Sequence, residues 1–140
     1  MLEVDPHAER VLHLVRQWVM KAENDLRNAT HTLKLGDTGP LDTVCFHAQQ
    51  CVEKYLKALL CFCEVDFYRT HDLGALMALL PAHLRPELSA EEQARLGDYA
   101  VATRYPGDYE PVSLDEAKRA VQMARRVRNQ VRRRLPEAIR

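Results

Sequence analysis

The sequence predicts an all-α protein, an antiparallel up-and-down bundle of about five helices, three long and two short. Three observations lead there. Apolar residues recur at steps of three and four through most of the chain, the spacing of a helix with one buried face. Helix-start signatures stand at Asp5-Pro6, at Ser89-Ala90-Glu91-Glu92 and at Ser113-Leu114-Asp115-Glu116. No segment alternates apolar and polar residues with period two for long enough to make a strand.

The first helix is expected from about Pro6 to Leu35. Asp5 caps it, Pro6 takes the first helical position, and Gly36 with Gly39-Pro40 ends it. Its apolar positions are Val11, Leu12, Val15, Trp18, Val19, Ala22, Leu26, Ala29 and Leu33. The second is expected from Leu41 or Asp42 to Val65, with Val44, Ala48, Cys51, Val52, Tyr55, Leu56, Leu59, Leu60 and Cys63 inward. A short third helix runs from Asp72 to Leu80, capped by Asp72 or Thr70 and closed by Pro81 and Pro86. The fourth starts after Ser89 and ends before Pro106, because a residue preceding proline avoids the α region. The last starts at Ser113, turns Ala117, Ala120, Val121, Ala124, Val127, Val131 and Leu135 inward, and frays at Pro136.

At 140 residues the chain fits one domain, 1–140, large enough to bury a core without disulfides or metal. Hydrophobic residues at 46% and charged residues at 29% exclude general disorder, and no apolar run approaches the length of a membrane span. The opening Met-Leu-Glu-Val-Asp-Pro lacks a basic and an apolar leader region, so a cytoplasmic protein is expected. Cys45, Cys51, Cys61 and Cys63 include no Cys-x-x-Cys and read as reduced core or edge residues, with no metal site and no cofactor expected. The net charge of zero hides an asymmetry: nine of the twenty basic residues lie between Lys118 and Arg140, against one acid, Glu137. A neutral total argues against bulk attraction to nucleic acid but leaves room for a local anion site. The arginines from Arg125 to Arg134 read either as a solvated helix face or as a basic rim.

The most informative stretch is His47 to Leu60. On a helix, His47, Gln50, Glu53, Lys54 and Lys57 share one face, and Glu53 with Lys57 forms a favourable pair one turn apart. That face is either a solvated stripe or a polar groove that meets a ligand, a partner or a second copy. His71, before Asp72, either orients the loop at a helix start or contacts a ligand. His7, His13, His31 and His83 are scattered and read as surface residues.

The stretch Phe46-His47-Ala48-Gln49-Gln50, followed by Glu53-Lys54 and Lys57-Ala58-Leu59, resembles the second-helix pattern of small prokaryotic HEPN proteins. Arg69-Thr70-His71-Asp72-Leu73, Thr103-Arg104-Tyr105-Pro106 and Ala22-Glu23-Asn24-Asp25-Leu26 are similar to other parts of that family, in the same order. The resemblance implies a bundle of about five helices, a homodimer, and work beside a separately encoded minimal nucleotidyltransferase, as in toxin–antitoxin pairs. It also implies a nucleotide or RNA as ligand. Some members of the family are metal-independent ribonucleases with an Arg-x(4–6)-His motif, in which histidine moves a proton and arginine holds the phosphate. Here Arg104 is the natural arginine, but Tyr109, Glu110 and Pro111 stand where the histidine belongs. The expectation is therefore an interaction or nucleotide-binding module with no assigned catalytic residue. The alternatives are an RNA-cleaving toxin with an atypical site built from Arg104, Tyr109 and His47 or His71, and a purely structural adaptor. Arg104 and Tyr105 either close a helix end or stand at the mouth of the groove. No phosphate-cradling glycine loop is present, which excludes a Walker-type NTPase.

The expectation of self-association also has a physical side. The first two helices carry apolar residues on more than one face, and this surplus must be covered by the short helices or by another copy of the chain.

Overall fold

In the computed structural model, which describes residues 5–100, 107 and 110–139, the helices form where capping and periodicity place them. They are α1 (Pro6–Leu33), α2 (Leu41–Phe62), α3 (Leu73–Leu79), α4 (Ala90–Gly97) and α5 (Leu114–Arg134), and the described residues contain no strand. The caps work as the sequence requires. Asp5 accepts the His7 N–H, Asp72 accepts that of Ala75, and Ser113 accepts that of Glu116. Ser89 and Glu92 form a complete reciprocal capping box.

The core is organised around α2. It packs most extensively on α1, next on α5, and the short helices cover what remains. Both of its apolar stripes are consequently buried inside the chain: Val44, Cys51 and Tyr55 on one side, Leu56 and Leu60 on the other, with only Phe46 half-buried. The surplus on α2 thus needs no second copy. On α1, Leu14 and Met20 remain exposed.

Contacts between side chains fix the directions. Asp25 meets His47 and Lys54 while His7 meets Glu64, so α1 and α2 are antiparallel. Tyr55 of α2 and Arg132 of α5 both reach Glu23, whereas the start of α5, at Glu116, lies near Cys45. The helices α2 and α5 therefore run in the same direction. The intervening α4 carries the chain back, antiparallel to α5, with Glu92 against Arg126 and Tyr99 against Glu116. This crossover, a common device of helical bundles, refines the simple up-and-down order.

The first helix stops at Leu33, two residues short of the expected Leu35, and two other helix ends differ more. The second helix stops at Phe62 rather than Val65 because Glu64 takes φ +54°, and the Val65 and Glu64 N–H groups bond back to the Leu60 and Cys61 carbonyls. The fourth helix gives way at Gly97 to a short 3₁₀ turn, Asp98–Ala100, and the predicted extension toward Pro106 lies outside the described residues.

A side chain at the left-handed Glu64 costs about 1 kcal/mol that glycine does not. Its exposed pairing with His7 returns only a fraction of that. Glu64→Gly is therefore expected to stabilise the fold by about 0.5 kcal/mol in urea unfolding, a gain that a loss of stability would contradict.

Candidate functional site

The motif face of α2 folds inward as a polar seam. Its first centre is Asp25, which enters the apolar stripe of α1 between Ala22 and Ala29 and is 7% exposed. One carboxylate oxygen meets His47 Nδ1 at 2.7 Å and the other accepts from Lys54 Nζ at 2.5 Å. His47 and Lys54 lie two turns apart, on the same side of α2, so a single carboxylate can hold both.

The second centre is Glu53, 2% exposed. It accepts from Lys57 Nζ at 3.1 Å and from Gln49 Nε2 at 3.4 Å, and pairs with His71 Nδ1 at 2.8 Å. Gln50 Nε2 donates to Gln49 Oε1 at 2.7 Å and so joins the same chain of bonds. The Lys57 ammonium lies 5.4 Å from the Trp18 ring centre and 5.9 Å from that of Phe67, two rings that meet edge to face. A carboxylate this deeply buried would cost several kcal/mol alone, and the lysine, histidine and amide groups offset that cost.

A third centre ties in α5. Glu23 Oε1 accepts from Tyr55 Oη at 2.6 Å, Arg128 Nε at 2.7 Å and Arg132 Nη1 at 2.8 Å. Burial, then the bond to Glu23, pushes the Tyr55 hydroxyl up from its usual pKa. Burial works to lower the Arg128 guanidinium, but the bond to Glu23, the Glu23 charge and Tyr55 together outweigh this and raise it.

Beside the seam, a cleft of about 890 Å³ opens between the start of α2, α4 with its following turn, and the start of α5. His47 lines it, with Phe46 edge-to-face at 5.4 Å. Among the described residues, its walls carry five carboxylic residues, Asp42, Glu91, Asp98, Glu110 and Glu116, against Arg95 and His47. Tyr99 donates to Glu116 at 2.5 Å, and burial followed by that bond holds its hydroxyl above the ordinary range. Burial, with Glu116 behind it, pushes the neighbouring Cys45 thiol up to about 12, and burial raises Cys51 as well. These thiols stay protonated at neutral pH and are poor nucleophiles. All four cysteines are free, and the described residues hold no group of side chains arranged to bind a metal.

The residues singled out in the sequence thus divide. Glu53, Lys57 and His71 come together, with Gln50 attached through Gln49; His47 and Lys54 come together on Asp25. Among those described, His47 alone reaches the cleft. Arg104, Tyr105 and Tyr109 lie outside the described residues. Glu53 and Lys57 are neither a solvated stripe nor an open groove, because they close on each other inside the chain. His71 is exposed, with its Nδ1 anchored on Glu53. His7, His13, His31 and His83 are exposed, as the sequence suggested. The reading of Arg125–Arg134 as a uniformly solvated face needs correction, since Arg128 and Arg132 turn in to Glu23. Sequence reasoning missed Asp25, Glu23 and Gln49 as anchors. The available signal was Asp25 itself, an acid three residues after Ala22 and four before Ala29 in a buried stripe.

Comparison with known proteins agrees with this architecture. The model of the HEPN domain matches residues 15–134. No curated protein matches the chain. Among solved structures, TT1696 from Thermus thermophilus is similar at 28% identity and a TM-score of 0.69, over 86% of this chain and 98% of that one. ST0689, described as an archaeal HEPN homologue, is similar at 28% identity and a TM-score of 0.66, over 86% of this chain and 96% of that one. With its bundle, its seam and this match over most of its length, the chain belongs to the HEPN family.

Proposed function

We propose that this protein is a homodimeric HEPN interaction module that works with a separately encoded minimal nucleotidyltransferase, in a toxin–antitoxin-like pair, and that it does not cleave RNA by the usual HEPN route. One observation carries the reading. Glu110 and Pro111, two of the three positions where the family's histidine would stand, are on the cleft wall, and neither can exchange a proton as histidine does near neutral pH. The charge of the cleft supports the same reading. Among the described residues, carboxylates outnumber cationic groups there, a balance that disfavours a phosphate and favours a protein partner that brings basic groups. Leu14 and Met20, exposed on α1, are apolar area that a second copy would cover. In solution at micromolar concentration, light scattering should report two copies of the 16.1 kDa chain, and affinity capture from the native cell should recover the nucleotidyltransferase. A monomer would remove the dimer, and capture without the enzyme would remove the pairing.

A second reading, RNA cleavage at an atypical site, draws on His47. Its Nδ1 is held by the buried Asp25 carboxylate while the ring lines the cleft, an arrangement that orients a histidine for proton transfer through Nε2. Incubation of the purified protein with total RNA, alongside His47→Ala and Arg104→Ala, separates the two. The interaction module predicts no cleavage by any of the three proteins. Cleavage abolished by either substitution would establish the nuclease.

A further inference from the structure

We propose that the solvent face of α5, from Lys118 to Arg133, is a docking surface for the phosphodiester backbone of a nucleic acid strand. The surface is distinct from the cleft and stands or falls apart from the reading given to it.

The argument begins with spacing. Lys118, Gln122, Arg125, Asn129 and Arg133 follow one another at steps of three and four, so they share one side of the helix, and all are exposed. At a rise of about 1.5 Å per residue this row is about 22 Å long, enough to follow several consecutive phosphates. Arg119 is exposed beside it. No acidic residue occurs between Lys118 and Arg134.

Cations on a helix are commonly neutralised by neighbouring acids, and here the division is clear. Arg126 pairs with Glu92, and Arg128 and Arg132 share Glu23, which leaves one positive charge in excess. Lys118, Arg119 and Arg125 form no ion pair with any described acid, and neither does Arg27 of α1. Arg27 and Arg125 line a shallow groove of about 430 Å³ between α1 and α5, which also holds Asn129 and the Glu23 carboxylate already bonded by Arg128 and Arg132. On the other flank, Arg95 and Arg119 border a groove of about 650 Å³ between α4 and α5, which also holds Gln122. That second groove includes Glu91 and Glu92, so the ridge and the α1 side are the more positive ground.

The choice between nucleic acid and an acidic protein rests on what the ridge lacks. The exposed residues of α5 from Asp115 to Arg133 are charged or amide side chains, and none is apolar. Stable protein interfaces have a desolvated apolar centre, whereas phosphate contacts come from Arg, Lys, Asn and Gln without one. The predominance of arginine over lysine suits bidentate contact with phosphate oxygens.

The test measures binding of labelled single-stranded RNA and of double-stranded DNA, each about 20 units long, by fluorescence anisotropy between about 50 and 200 mM salt. The variant Lys118→Gln/Arg119→Gln/Arg125→Gln removes unpaired, exposed cations, so folding is retained and is verified by its melting curve. Arg10→Gln/Arg16→Gln/Lys21→Gln, exposed on the part of α1 that leads away from the ridge, gives the same change in net charge. The ridge variant should lose about tenfold in affinity, and its slope of log affinity against log salt for the single strand should shrink by about two, while the α1 variant stays close to the parent. Preference for RNA or for DNA identifies the source of the backbone. Absence of binding to both at the lowest salt would overturn the proposal. So would an equal loss in the α1 variant, or equal competition by a poly-glutamate of matched charge.

Discussion

Two buried carboxylates, Asp25 between α1 and α2 and Glu53 between α2 and the segment before α3, constrain everything around them. Asp25 sits where the helical pattern of α1 expects an apolar side chain, Glu53 lies on the polar face of α2 that the fold closes off, and each must find cationic or amide partners without water. Asp25 takes both from α2, which fixes the register of the α1–α2 pair at His47 and Lys54. Glu53 takes Lys57 from its own helix and His71 from the segment before α3, which ties the post-α2 loop back to the bundle. The consequence for function is positional. His47 is presented at the cleft with one ring nitrogen already committed, and α3 starts where its loop has been anchored.

The Glu23 centre extends the same logic to α5. One carboxylate oxygen gathers a tyrosine from α2 and two arginines from α5, so the three long helices meet at a single point. Because α5 runs parallel to α2, its acidic start, Asp115 and Glu116, lies at the cleft end, and its arginine-rich remainder lies along the rest of the bundle. A chain with zero net charge thereby acquires an acidic cleft and a basic ridge. The two surfaces are the ones for which different partners are proposed above.

Much of the fold was legible in the sequence because it depends on local chemistry. Caps at Asp5, Asp72, Ser89 and Ser113 mark helix starts wherever the tertiary fold places them. The buried alanine and valine positions of α5 follow from period alone. The end of α2 was not legible, since a glutamate in the left-handed region carries no glycine signal. The direction of α5 was hidden too, because it depends on how α4 crosses the bundle. At the site, the motif face of α2 could be recognised as special, but not its partners. Whether Glu53 and Lys57 face water or each other depends on Trp18, Phe67 and His71, which come from elsewhere in the chain. Asp25 was visible only as an acid in an apolar stripe, and its meaning required knowing what lay opposite.

The central claim is that these polar side chains fasten the helices to one another. It is tested most directly by a double-mutant cycle on Asp25 and Lys54, with Asp25→Asn, Lys54→Met and the double variant compared by urea unfolding. The account predicts that the pair of substitutions costs less than the sum of the single ones, with a coupling of about 1–3 kcal/mol. Additivity within about 0.5 kcal/mol would mean that the two groups do not depend on each other, and would contradict it.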